Sequence, residues 1–139
     1  VAKTDGAVLS GTDAIFTVSG GPVRATVYGI VTTILSGTGN GKLTYTTTDP
    51  AATVDLCSAV AIDNDASGTS YRFINTTAVL TPVTAGVVIM GNAFATDDTE
   101  FFLPIGSMGF NSSGAATGVI AWYLMYTPLS PASRVVAAA

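Results

Sequence analysis

The sequence predicts an all-β protein: a single-domain antiparallel β-sandwich, or a jelly-roll or barrel-like relative of one, with extended termini. Three observations carry this expectation. Val, Ile, Thr and aromatic residues cluster in short runs, and Gly, Asn, Asp, Ser and Pro separate the runs at regular spacing. No window sustains an apolar stripe at the helical period. A chain of 139 residues also suits one domain with a buried core, and neither a repeat nor a linker divides residues 1–139.

Residues 7–9 and 14–18 read as the opening strands. The Gly20-Gly21-Pro22 turn then leads into a long strand over residues 23–35. Its odd positions, Val23, Ala25, Val27, Val31 and Leu35, form an apolar face, and Gly29 in its middle suggests a bend or bulge. The segment Ser36-Gly37-Thr38-Gly39-Asn40-Gly41 reads as a hairpin tip that pairs this strand with residues 42–48. After Asp49-Pro50, residues 51–62 form one short strand or two, and residues 63–68 form a polar turn. Residues 71–74, 79–80, 87–90 and 101–103 follow as strands, and 105–110 continues around Pro104 and Gly106. A turn at Asn111-Ser112-Ser113-Gly114 precedes the last clear strand, residues 118–127. Pro128 and Pro131 then end regular pairing.

That last strand is apolar on both sides. Val119, Ala121, Tyr123 and Met125 point one way, and Ile120, Trp122, Leu124 and Tyr126 point the other. A strand with one face in water should alternate, so both of its faces are expected to be covered, one by the core and the other by a second sheet, a membrane or, the favoured reading, a neighbouring subunit. An outer-membrane barrel also has apolar outward positions, but the aromatic girdles it needs are not visible.

Composition narrows the function classes. Only 10% of residues are charged, against about 25% in an average soluble domain. Few charges leave little to oppose association, which favours a surface covered by partners. The net charge is −4, and the five basic residues, Lys3, Arg24, Lys42, Arg72 and Arg134, are scattered. Without a basic stripe, nucleic acid is not an expected partner, and without a polybasic segment neither is a membrane. The longest apolar runs are about half the roughly 20 residues of a spanning helix.

Catalytic chemistry has little to work with. The chain has no histidine, which removes the commonest general base, the usual partner of a Ser or Cys nucleophile, and a frequent zinc ligand. Cys57 is the single cysteine, has no cation near it in sequence, and reads as a small buried hydrophobe. Carboxylates cluster at Asp63 with Asp65 and at Asp97, Asp98 and Glu100, in turns where acidic residues cap and solubilise. Asp63-x-Asp65-x-Ser67-Gly68 has the form of the first half of a calcium loop, making Asp63 and Asp65 the candidates for a cation. Ile74, however, stands where the closing carboxylate belongs. No metal, cofactor or enzymatic activity is expected.

The segment from Gly118-Val119-Ile120-Ala121-Trp122-Tyr123 through Pro128-Leu129-Ser130-Pro131 to Arg134-Val135-Val136 resembles the end of small tailed-bacteriophage virion proteins. The stretch Pro50-Ala51-Ala52-Thr53-Val54-Asp55-Leu56, with Asp63-Asn64-Asp65 and Gly68-Thr69-Ser70-Tyr71-Arg72-Phe73, is similar in the same way. The resemblance implies a capsid decoration, or cement, protein. Such a protein sits on the outer surface of the virion, is assembled in the host cytoplasm, forms a homotrimer, and bridges major capsid proteins. Its expected assembly interface is Val27, Ile30, Val31, Ile120, Trp122, Leu124 and Tyr126. An N-terminal arm (residues 1–12) or a C-terminal tail (residues 128–139, with Pro128, Leu129, Pro131, Arg134, Val135 and Val136) would dock on the shell. The alternative is a glycan- or receptor-binding module of a head fibre or tail, with Trp122, Tyr123 and Tyr126 as candidates for its stacking platform and Trp122 and Tyr126 on one strand face.

Overall fold

The structure, a computed structural model, describes residues 1–5, 9–73, 80–83 and 100–139. Among these the chain forms two antiparallel sheets packed against each other, with no helix and no closed barrel. The strands are β1 (Ala2–Asp5), β2 (Leu9–Ser19), β3 (Val23–Ser36), β4 (Asn40–Thr48), β5 (Ala51–Asp55) and β6 (Val60–Ala61). They continue as β7 (Ser70–Phe73), β8 (Leu80–Val83), β9 (Phe101–Leu103), β10 (Gly106–Pro128) and β11 (Arg134–Ala137).

Strand β10 belongs to both sheets. Its first half pairs with β2 and β4, and its second half with β1 and β3. Along one flank β1 and β2 follow it in succession; along the other, β3 and β4 do. The centre of the molecule is therefore a three-stranded ribbon folded over at a corner. In the first sheet β11 extends it beyond β2, and β5 and β6 beyond β4. In the second sheet β7 and β9 pair with β3, and β8 pairs with β7.

The corner changes two expectations. The turn at residues 111–114 does not form, and β10 runs unbroken for 23 residues. Gly114 (φ 103°) and Gly118 (φ 140°) adopt backbone conformations that L side chains resist. A Cβ on either would lie 2.3 Å from Thr38 O or 2.5 Å from Ile34 O. These glycines let the strand bend as it passes from β2 and β4 to β1 and β3. Nor do β3 and β4 make a hairpin with each other. Residues 37–39 carry the chain from one sheet to the other, because each of these strands takes β10 as its partner on the shared flank.

The inward face of β3 is as expected: Val23, Ala25, Val27, Val31 and Leu35 are all buried. Gly29 continues that row and is not a bulge. It pairs in register with Trp122, whose indole occupies the space a side chain would need. The extra residues in β3 fall instead at Thr32, between Thr33 opposite Val119 and Val31 opposite Ile120, and once more between Ser36 opposite Thr117 and Thr33 opposite Val119. Trp122 packs on Phe110 (ring centroids 5.2 Å apart) and Tyr71 (6.3 Å), tying the sheets together at the centre of the core. Ile15, Phe16, Leu43, Tyr45, Met108 and Phe110 supply the facing layer.

Neither terminus is a free arm among the described residues. Residues 2–5 are β1, laddered to β10, and residues 134–137 are β11, laddered to β2. The expected docking tail folds back on its own sheet: Val135 is buried, and the Ser133 hydroxyl donates to Pro22 O at 2.8 Å. Pro128 closes β10, while Leu129, Pro131, Arg134 and Val136 stay on the surface. Amphipathic alternation in β11, with Val135 inward, explains why the segment docks internally. The expectations for residues 7–8, 74, 79 and 87–90, and those for Asp97 and Asp98, lie outside the described residues.

Candidate assembly surface

The register of the second sheet sets Ala2 opposite Tyr123, Tyr123 opposite Tyr28, and Tyr28 opposite Arg72. Their sequence neighbours Trp122, Leu124, Val27 and Tyr71 are buried, so the two-residue period turns this row outward. Tyr123 is 45% exposed and Met125 60%. Ile30, opposite Ala121, adds apolar surface on the next row. Ala2, Tyr28, Tyr123, Leu124 and Met125 line one shallow groove, and Tyr28, Ile30, Ser70, Arg72 and Tyr123 line an adjoining one.

This is the opposite face of the strands from the one expected to meet a neighbour. Val27, Val31, Ile120, Trp122 and Leu124 point into the core and are at most 2% exposed. Tyr126 packs against that core from its margin, and only Ile30 lies on the outer face. Sequence could not separate the two faces of β10 because both are apolar. The register does so, since Trp122 needs a glycine opposite it and Gly29 is the residue that supplies one. Trp122 is fully buried and offers no stacking surface to a sugar.

A second apolar patch lies at the end of the sandwich away from the corner. Phe102 is 65% exposed and Ile105 44%, and with Pro22, Thr48, Asp49 and Pro104 they line a hollow. Strand β9 is only three residues long and turns Leu103 inward, which leaves Phe102 on the outside. The clue in sequence is the apolar density around Pro104, too great for so short a strand to bury.

The polar candidates are occupied by the fold. Asp63 accepts a hydrogen bond from Gly39 N–H and so fastens the polar turn to the corner. Asp65 accepts one from the Tyr71 hydroxyl. Among the described residues no three His, Cys, Asp or Glu side chains come together around a possible ion. Burial raises the Tyr71 phenol well above its usual value, with the hydrogen bond to Asp65 and its negative charge adding to the effect. Burial alone pushes Tyr45 up to about 12. Glu100 pairs with Arg24 at 3.2 Å on the surface, and Asp55 with Lys42 at 2.7 Å. Cys57 is buried, and its sulfur accepts the Leu43 N–H at 3.2 Å.

Among the described residues the surface thus offers two apolar patches and a set of strand edges, with Asp55, Asp63, Asp65 and Glu100 engaged in capping and pairing. No protein-family model, curated protein or solved structure matches the chain.

Proposed function

We propose that this chain is a structural protein of a tailed-bacteriophage virion, a capsid decoration protein that packs on the outside of the head and bridges major capsid proteins. The observation that carries the reading is the outward apolar row of Tyr28, Ile30, Tyr123 and Met125 on a chain with only 10% charged residues. Tyrosine and methionine are enriched at the centres of protein interfaces, and a sheet face presents them rigidly at little entropic cost. The resemblance of residues 50–56, 68–73 and 118–136 to virion proteins supplies the setting. Contacts between copies would use this row or the strand edges, since of the residues first expected there only Ile30 lies on the outer face.

The test is co-sedimentation of the purified protein with empty shells of the major capsid protein encoded in the same genome. Met125→Lys and Tyr123→Lys, both on exposed positions, should leave the fold intact and weaken shell binding by about tenfold or more, a hot-spot effect. Unchanged binding in both variants would remove this face from the mechanism. A glycan-array signal abolished by Tyr123→Ala would instead favour the fibre module.

A further inference from the structure

Strand edges present backbone N–H and C=O groups that can pair with another chain, and proteins guard them with charge, proline or shortness. Three edges of this sandwich are guarded in sequence: β1 carries Lys3 and Asp5, β8 carries Pro82, and β11 begins at Arg134. Strand β5 differs. Among the described residues it pairs only with β4, and all five of its residues are exposed. Its one charge, Asp55, stands at the end and is held by Lys42 at 2.7 Å.

The backbone accounting fixes what this edge can accept. Leu56 N–H donates to Leu43 O at 2.8 Å, which sets the phase of the β4–β5 ladder. With Tyr45 opposite Val54 and Thr47 opposite Ala52, Val54 and Ala52 aim their N–H and C=O groups at β4. Ala51, Thr53 and Asp55 aim theirs away from it.

We propose that β5 of one copy pairs antiparallel with β5 of a second copy, about a two-fold axis through Thr53. In this register Thr53 faces Thr53 of the second copy, and Ala51 faces Asp55 of the second copy on either side. Every outward-facing position then meets another, so each pair exchanges two hydrogen bonds; a slip of one residue would set outward groups against inward ones. The two Asp55 carboxylates fall at opposite ends, about 13 Å apart at roughly 3.3 Å per residue, and each keeps its Lys42. Val54, 51% exposed on the Tyr45 side of the sheet, comes opposite Ala52 of the second copy and loses apolar surface to it. A Thr–Thr pair at the centre is a favourable cross-strand match. The contact is isologous, so it closes after two copies and does not propagate into a fibre. It goes beyond the virion reading and requires no shell.

Cysteine cross-linking tests the register. A hydrogen-bonded antiparallel pair places its Cα atoms about 5.5 Å apart, within reach of a disulfide. Under mild oxidation Thr53→Cys should form a covalent dimer at least about tenfold faster than Ala51→Cys, whose twin lies too far away. A mixture of Ala51→Cys and Asp55→Cys should form the mixed dimer. The native Cys57 is buried and does not compete. Thr53→Pro removes an outward N–H, leaves the β4 backbone ladder intact and loses only the exposed Thr46–Thr53 hydroxyl bond at 2.8 Å, so it should give a monomer by light scattering with near wild-type thermal unfolding. Equal cross-linking of Thr53→Cys and Ala51→Cys, or a wild-type mass of a single chain at the highest soluble concentration, would overturn the proposal. Shell binding retained by a monomeric Thr53→Pro would separate this contact from the virion reading; should that variant not fold, the cysteine contrast still decides.

Discussion

Replacing Gly29 with alanine probes the centre of the core with the smallest possible change. The new Cβ would lie 2.7 Å from Trp122 Cζ3, 2.9 Å from Cε3 and 3.0 Å from Cη2. Ordinary carbon–carbon contact is about 3.5–4.0 Å, so one methyl group meets three ring atoms well inside that distance. The indole has nowhere to retreat: Phe110 and Tyr71 pack on it, and Trp122 has no exposed surface. Overpacking of this kind costs about 1–3 kcal/mol, against which the replaced glycine returns about 0.5–1 kcal/mol of unfolded-state entropy. The expected net destabilisation is about 1–2 kcal/mol, read as a lower urea midpoint at constant m-value, with far-ultraviolet circular dichroism as the probe. The decisive arm is the same substitution in a Trp122→Leu background. With the six-membered ring gone, the cost of Gly29→Ala should vanish or reverse, a coupling of about 1 kcal/mol or more. The same loss in both backgrounds, or no loss in the first, would refute the account of Gly29 as the recess for Trp122.

Three further outcomes follow from the same packing. Both the Tyr45 and Tyr71 phenols are raised in the folded state, Tyr45 to about 12, while unfolded chains ionise near 10. Their contribution to stability is therefore complete below pH 10. It declines from pH 10 towards 12, where the unfolded state sheds protons that the folded state keeps, by up to about 1.4 kcal/mol per pH unit for each tyrosine. Urea midpoints that stay level across that window, while phenolate absorbance rises, would contradict this. Cys57, 3% exposed, should react with a thiol reagent about a thousandfold or more slower in the native protein than in the unfolded chain, and a rapid native reaction would show that the 43–57 contact opens locally. At the corner, Gly118→Ala would press its Cβ to 2.5 Å from Ile34 O at a φ of 140°, so a loss of about 2 kcal/mol or more is expected in thermal unfolding; wild-type stability would mean that β10 does not bend there.

Local pattern was enough to read the fold class and the inward face of β3, because the alternation of Val23, Ala25, Val27, Val31 and Leu35 with more polar neighbours admits only one orientation. The same rule is silent where both rows are apolar. In β10 the choice between Trp122 and Tyr123 as the inward residue depends on Gly29, distant in the sequence, and so Ile120, Trp122 and Leu124, expected at a surface, are internal. Turn chemistry misled for a related reason. Residues 36–41 and 111–114 carry the Gly, Asn and Ser of hairpin turns, yet both lie at one corner where two strands fold over together. What distinguishes a corner from a hairpin is the partner strand, and that information is not local. The C-terminal segment reads as an extended tail because Pro128 and Pro131 interrupt pairing, yet the single inward Val135 suffices to draw β11 onto the first sheet.

Strand β10 also sets a timetable for the growing chain. Both sheets have residues 106–128 between their other strands, joining β2 to β4 in one and β1 to β3 in the other. While the protein is being synthesised, β1 to β9 emerge before the strand that joins them, and among the described residues only the pairs β3–β7, β3–β9, β4–β5, β4–β6 and β7–β8 can form without it. Neither sheet can be completed until β10 has left the ribosome, when pairs as remote as Ala2 with Tyr123 can close. A nascent chain stalled before β10 should therefore be protease-sensitive throughout and dependent on chaperones, whatever the stability of the finished sandwich.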